Sequence, residues 1–227
     1  MENFIQSHLD IIDEREIVLL EIERALFTQR YRLSKTHFEI LSVQSISMIY
    51  SIWEGFIQKT FQQYIYYLNS LNIGFNELKD EIVIFHMENK FKQFNEYPKK
   101  TNGKISFYEQ LSDHFENTCI PIYSSINTES NVSFEVLNRI LKQFALEPFT
   151  EQWGEDYHYP KPNLKEVMST FLRYRNGIAH GGDISSEEKV TVEVYEKYKK
   201  LVTDLMYGIY AKLQNAIENE SYLKHLQ

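Results

Sequence analysis

The side chains best suited to chemistry lie close together late in the chain. The segment 163–182 reads NLKEVMSTFLRYRNGIAHGG and carries Arg175, Asn176 and His180. A guanidinium offers an anion a planar fork of donors, and an imidazole titrates near neutral pH. Leu164, Met168, Phe171 and Ile178 mark the apolar stripe of a helix. The same register puts Arg175 on that stripe, four residues after Phe171 and three before Ile178. An arginine facing a core or an interface is costly unless it is paired or functional. Plainer roles stand beside the functional one. Arg175 can reach past its neighbours to water or pair with a carboxylate of another helix, and His180 can satisfy carbonyls at a helix end. A five-residue step turns an ideal helix by about 140°, so spacing alone does not bring Arg175 and His180 together. Gly177 and Gly181-Gly182 can loosen or end the helix there.

The elements that position these residues follow from composition and periodicity. Of 227 residues 43% are hydrophobic and 15% aromatic, enough for a sizeable core, while 8 Gly and 5 Pro leave few tight turns and disfavour an all-β fold. The net charge of −8 excludes a protein that coats nucleic acid through a broadly basic surface, though not a nuclease with a local positive site. Cys119 is the only cysteine, which rules out an intrachain disulfide and a Cys-rich zinc site. The N-terminal residues lack a basic leader followed by an apolar run, and no stretch reaches the ~20 apolar residues of a membrane span. We therefore expect a cytoplasmic protein with no membrane partner. No phosphate loop, H-E-x-x-H or histidine pair at metal-ligand spacing is present, so neither cofactor nor metal is expected.

Apolar spacing predicts a first helix over about 3–32 and a second over about 37–71. The second is apolar around most of its circumference and should be central in a bundle. Shorter helices are predicted over roughly 76–94, 105–118 and 133–145, followed by an aromatic-rich loop at 146–162. A long final helix carries Val194, Tyr198, Leu201, Leu205, Ile209, Leu213 and Ile217. Capping-box patterns occur at Thr36–Glu39, Ser106–Glu109 and Asn163–Glu166. Near 185–191, Ser185 and Thr191 compete as caps. The expected fold is all-α: two long N-terminal helices, an insertion of shorter helices and a C-terminal helix pair. It forms a single domain over 1–227, with a core at about 1–71 and 163–219 and a helical insertion at about 72–162.

Arg175-Asn176-Gly177-Ile178-Ala179-His180 resembles the R-x4–6-H signature of HEPN domains, including the polar residue after the arginine. Its company is similar to the RiboL-PSP-associated HEPN branch in order and type. Trp53-Glu54-Gly55-Phe56 and the aromatic run 61–68 match that branch's second helix. Residues 129–137 with Arg139-Ile140-Leu141 resemble its middle segment, and 171–181 with the following long helix its C-terminal segment. The resemblance spans roughly residues 40–215 and is weakest over 72–128.

That resemblance implies a HEPN-type bundle acting as a homodimer, with two motif copies in one cleft. It implies RNA as substrate and metal-independent endoribonuclease activity, in which the ribose 2′-OH attacks the adjacent phosphate. His180 would move protons, Arg175 would stabilise the phosphorane charge, and Asn176 would orient one of them or the phosphate. Glu54 is the candidate acidic partner on the facing helix, with a surface carboxylate as the alternative. Arg173, Lys99 and Lys100 are candidate RNA contacts, beside the plainer role of a solvated loop for the lysines. Trp153, Tyr157, His158 and Tyr159 are suited to stacking on bases or to packing the loop onto the bundle. Such proteins act as toxins or antiviral defence effectors, with an antitoxin or defence partner. Where some HEPN toxins carry a tyrosine modified by a nucleotidyltransferase antitoxin, this chain has Gly182, so that control is not implied. The alternative is a non-catalytic HEPN-like module for RNA binding or protein docking.

Overall fold

In the computed structural model, the described residues are 2–28, 31–116, 121–129, 131–179 and 190–224. Among them the secondary structure is helical apart from one isolated bridge between Leu78 and Leu223. The α-helices are α1 (Glu2–Phe27), α2 (Lys35–Ser70), α3 (Asp80–Lys90), α4 (Thr101–Glu116), α5 (Phe134–Gln143), α6 (Leu164–Ala179) and α7 (Val192–Glu218). Short 3₁₀ turns occupy Lys92–Phe94 and Glu155–Tyr157.

The central place expected for the second helix is realised. Ile46, Ile49, Trp53, Phe56, Ile57, Phe61, Tyr64 and Ile65 of α2 are buried, because α1, α6 and α7 all pack against it. By length and composition α2 is apolar enough to cross a membrane, unlike the expectation drawn from uninterrupted apolar runs. Neighbouring helices cover part of that apolar surface, while Ile40, Leu41, Met48 and Tyr66 stay exposed. Between α1 and α7, the Tyr195 hydroxyl donates to the Leu19 carbonyl at 2.7 Å, and Lys199 pairs with Glu23. From the middle of the chain, α5 joins the same core through Leu137, Ile140, Leu141 and Phe144. The Phe144 ring packs on Phe61, Tyr64 and Phe85. In contrast, α4 is held mainly by a small separate cluster of Met87, Phe91 and Phe107.

Two of the predicted caps move. Ser34, not Thr36, caps α2, its Oγ accepting from the His37 N–H at 3.3 Å. Ser106 lies inside α4, which begins at Thr101. A cap pattern is a local signal and does not prevent a helix from extending upstream. At Gly103 an added Cβ would stand 3.1 Å from the Pro98 Cβ, so glycine lets the preceding loop lie against the first turn of α4. The Asn163 box forms as expected. Asn163 Oδ1 accepts from the Glu166 N–H and Glu166 Oε2 from the Asn163 N–H, each at 2.9 Å. Thr191 caps α7, whereas Ser185 lies outside the described residues.

The aromatic loop after α5 packs onto the bundle. Tyr157 is buried, stacks on Trp153 and donates to Asp204 of α7 at 3.1 Å. Gly208 of α7 makes room for it, since a Cβ there would meet Trp153 Cζ2 at 2.8 Å and Phe149 Cε1 at 2.9 Å. His158 and Tyr159 remain exposed.

Candidate active site

Arg175 lies in the last turns of α6, half-buried as the apolar register predicts. Its guanidinium covers the ring of Tyr50 on α2, 4.9 Å from the centroid. It donates to Asn131 Oδ1 at 3.3 Å and to Asn176 Oδ1 at 3.0 Å. Among the described residues, no carboxylate lies within ion-pair distance of it. Among the described residues the salt-bridged alternative is therefore not the arrangement adopted. The arginine is held by one π face and two neutral carboxamide oxygens, which orient it without cancelling its charge.

Tyr50 organises this arrangement. It is 1% exposed, packs against Phe171 of α6, and accepts the Val132 N–H on its hydroxyl at 2.7 Å. Burial pushes its phenol upward from its ordinary pKa, opposed by the Val132 N–H. Beyond these, Glu54 raises it and Arg175 lowers it, so both charges act on the one hydroxyl. Glu54, one turn further along α2, accepts from the Thr128 hydroxyl at 2.9 Å, and Gln58 reaches the same hydroxyl at 3.4 Å. The structure thus brings Glu54 and Arg175 close enough to act on the Tyr50 hydroxyl without joining them in a salt bridge.

The loop carrying Thr128, Asn131 and Val132 is itself tied down. Glu129 adopts a left-handed backbone with φ 52°, uncommon for a residue with a side chain. Asn127 Oδ1 accepts the Glu129 N–H at 2.8 Å. Arg139 on α5 donates to the Asn127 carbonyl at 2.9 Å and pairs with Glu129 at 3.2 Å. Ser133 then caps α5, its side chain accepting from the Val136 N–H. One side of the loop is thus held by α5 and the other by the Tyr50 hydroxyl, which brings Asn131 to the arginine.

The other expected site residues fall in different places. Asn176 is beside Arg175 and half-buried. Arg173 is exposed on α6, and Lys99 and Lys100 are exposed just before α4. His180 lies outside the described residues, as do Gly181 and Gly182. Sequence reasoning did not single out Tyr50, Thr128 or Asn131. Tyr50 stands one helical turn before Glu54 and Asn131 within the segment that drew the resemblance, and those positions were the available signals. A groove of about 580 Å³ between α3 and α5 is lined by residues including Ile84, Phe134 and Lys142 and does not include Arg175. Among the described residues, no three His, Cys, Asp or Glu side chains gather as a set able to hold a metal.

Compared with known proteins, the chain matches the family model described as MAE_28990-like HEPN over residues 11–222. No curated protein and no solved structure matches it. That family match runs through nearly the whole helical bundle, including Tyr50 and Glu54 on α2 and Arg175 on α6. The chain belongs to the MAE_28990-like HEPN family.

Proposed function

We propose that this HEPN protein is an endoribonuclease that needs no metal, with Arg175 and His180 as its catalytic pair. The observation that carries this is the state of Arg175. It is a half-buried cation held by Tyr50, Asn131 and Asn176 and left without a counter-charge among the described residues. A phosphate diester supplies the missing anion. The ribose 2′-OH loses its proton to a general base and its oxygen bonds to the adjacent phosphorus. The P–O5′ bond breaks and the departing oxygen takes up a proton, leaving a 2′,3′-cyclic phosphate and a 5′-OH. His180 serves the proton transfers, Arg175 stabilises the phosphorane, and Asn176, already on the guanidinium, holds it in register. Glu54 acts across Tyr50 as the acidic partner.

The R-x4–6-H motif and the likeness to the RiboL-PSP-associated branch belong to this proposal. So do a two-fold homodimer that brings two motif copies to one cleft and a toxin or defence role under a restraining partner protein. The second reading is a non-catalytic module that binds RNA or protein, and the net charge of −8 favours its protein-docking form. Purified protein incubated with RNA in excess EDTA separates the two. Cleavage leaving 2′,3′-cyclic phosphate ends is expected. A strict divalent-cation requirement would refute the mechanism, and binding without cleavage would leave the second reading.

A further inference from the structure

The segment from Lys90 to Tyr108 runs against the character of the chain. It holds Lys90, Lys92, Lys99, Lys100 and Lys104 against the single acidic residue Glu96, in a protein of net charge −8. All five lysines are exposed, and among the described residues none forms an ion pair. Among and just beyond them stand aromatic rings that the fold does not cover. Phe94 is 49% exposed, Tyr97 62% and Tyr108 71%.

Two of these rings are held in place from below. Buried Phe107 meets Phe94 at 5.4 Å and Tyr97 at 6.3 Å between ring centroids, both edge-on. The Lys104 ammonium sits over the Tyr97 ring, 5.3 Å from its centroid. Lys104 and Tyr108 are four residues apart on α4 and so share one face of the helix. Pro98 lies against Gly103, which keeps the Tyr97–Lys100 loop on the first turn of α4. The result is a basic surface with rings already set at its edges, and ordering such side chains beforehand lowers the cost of binding.

We infer that this surface, where the loop before α4 meets that helix, is a docking platform for single-stranded RNA. The lysines track phosphates, and Tyr97, Tyr108 and Phe94 stack on unpaired bases. The pairing of unneutralised cations with exposed rings selects this ligand. Phosphates release counterions from lysines, and every unpaired base has a π face to offer a ring. An A-form duplex keeps its bases stacked inside and offers the rings little. An acidic peptide would satisfy the lysines but not the rings. The inference rests on RNA being the substrate of the Arg175 site and adds a second place where the strand is held.

The test is fluorescence anisotropy of a labelled single-stranded oligouridylate on the full chain carrying Arg175→Ala, so that cleavage does not consume the probe. Adding Lys99→Gln, Lys100→Gln and Lys104→Gln together should flatten the dependence of log K on log salt by about 2, at about 0.7 per lost phosphate contact. Adding Tyr108→Ala instead should weaken binding about tenfold without changing the slope, and Tyr108→Phe should restore it. A duplex of equal length should bind more weakly. Affinity and slope unchanged in the triple lysine variant would overturn the platform. So would polyglutamate competing as well as the oligonucleotide while Tyr108→Ala has no effect, which would mark an acidic-peptide surface. The catalytic proposal fails separately. If the unsubstituted chain leaves RNA uncut while the lysine and tyrosine effects hold, the platform stands and the nuclease does not. If RNA is cut but the triple variant binds as before, the reverse is true.

Discussion

Arg175 on α6 and His86 on α3 are both ionisable groups drawn out of water, and the molecule treats them in opposite ways. The guanidinium is set over the Tyr50 ring and between two carboxamide oxygens, with no carboxylate against it among the described residues. The imidazole is kept neutral. His86 is 1% exposed, and its Nδ1 accepts the Tyr123 N–H at 3.0 Å. That contact leaves its proton on Nε2, which points to His114 Nε2 at 3.1 Å. Burial pushes His86 down to about 4, with His114 and then Lys90 adding to the shift. The two rings lie nearly parallel, 5.0 Å apart, with Phe75 against both. An arginine is charged in any such setting, and here its weak, neutral partners leave room for an anion. The charge of the imidazole is suppressed where a backbone donor and aromatic walls leave no such room. The first arrangement suits binding a ligand and the second suits joining α3 to α4.

The sharpest way to break this contrast is to remove the charge. Arg175→Ala should lower RNA cleavage by about a thousandfold or more, with unchanged helix content by circular dichroism, and His180→Ala by a comparable factor. Arg175→Lys should also fail, because an ammonium cannot supply the planar fork. Cleavage by His180→Ala at the unsubstituted rate would remove His180 from the proton transfers.

Next comes the ring beneath the arginine. Tyr50→Leu removes a fully buried aromatic and should cost about 3 kcal/mol of stability, together with most of the cleavage. Tyr50→Phe keeps the π face but leaves the Val132 N–H unpaired, at about 1–3 kcal/mol. In urea titrations both are destabilised. In cleavage assays Tyr50→Phe should fall well above Tyr50→Leu, whereas equal activities would mean that the ring does not position Arg175.

Acid tests the neutral partner. Between pH 6.5 and about 4 the unfolded chain binds a proton at His86 that the folded chain does not. Stability is therefore full above pH 6.5 and falls as pH drops through that window, by up to about 3 kcal/mol. His8 and His114 are also held below their ordinary values by burial and add in the same direction. Thermal melts from pH 8 to pH 4 should show this decline, and His86→Gln should reduce it. An unchanged decline in His86→Gln would assign it to other groups.

The smallest effect concerns the neutral acceptor. Asn131→Ala removes one of the two carboxamide oxygens on Arg175 and should cost about 1 kcal/mol in stability. A few-fold loss of cleavage is expected in the same assay. Asn131→Asp places an anion there and should depress RNA binding more than Asn131→Ala does. The opposite order in anisotropy would mean that the charge of Arg175 does not need to stay open.

Much of this protein could be read from local pattern alone, because helices are periodic and their caps involve neighbours in sequence. The long helices α2 and α7, the Asn163–Glu166 box and the burial of Trp53 and Phe56 follow from residues three and four apart. The half-buried position of Arg175 follows from the same register that buries Phe171. What remained out of reach depends on contacts between distant segments. Tyr50 and Asn131 meet Arg175 only because α2, the 121–132 loop and α6 converge, and the place of Tyr50 one turn before Glu54 does not by itself mark it as a platform for a cation. The pairing of His86 with His114 likewise depends on how α4 folds back on α3. A side chain's periodicity decides whether it faces inward. Which groups it finds there, and so whether a buried charge meets a counter-charge or stays open to a ligand, is decided by the packing of elements that the chain brings together from far apart.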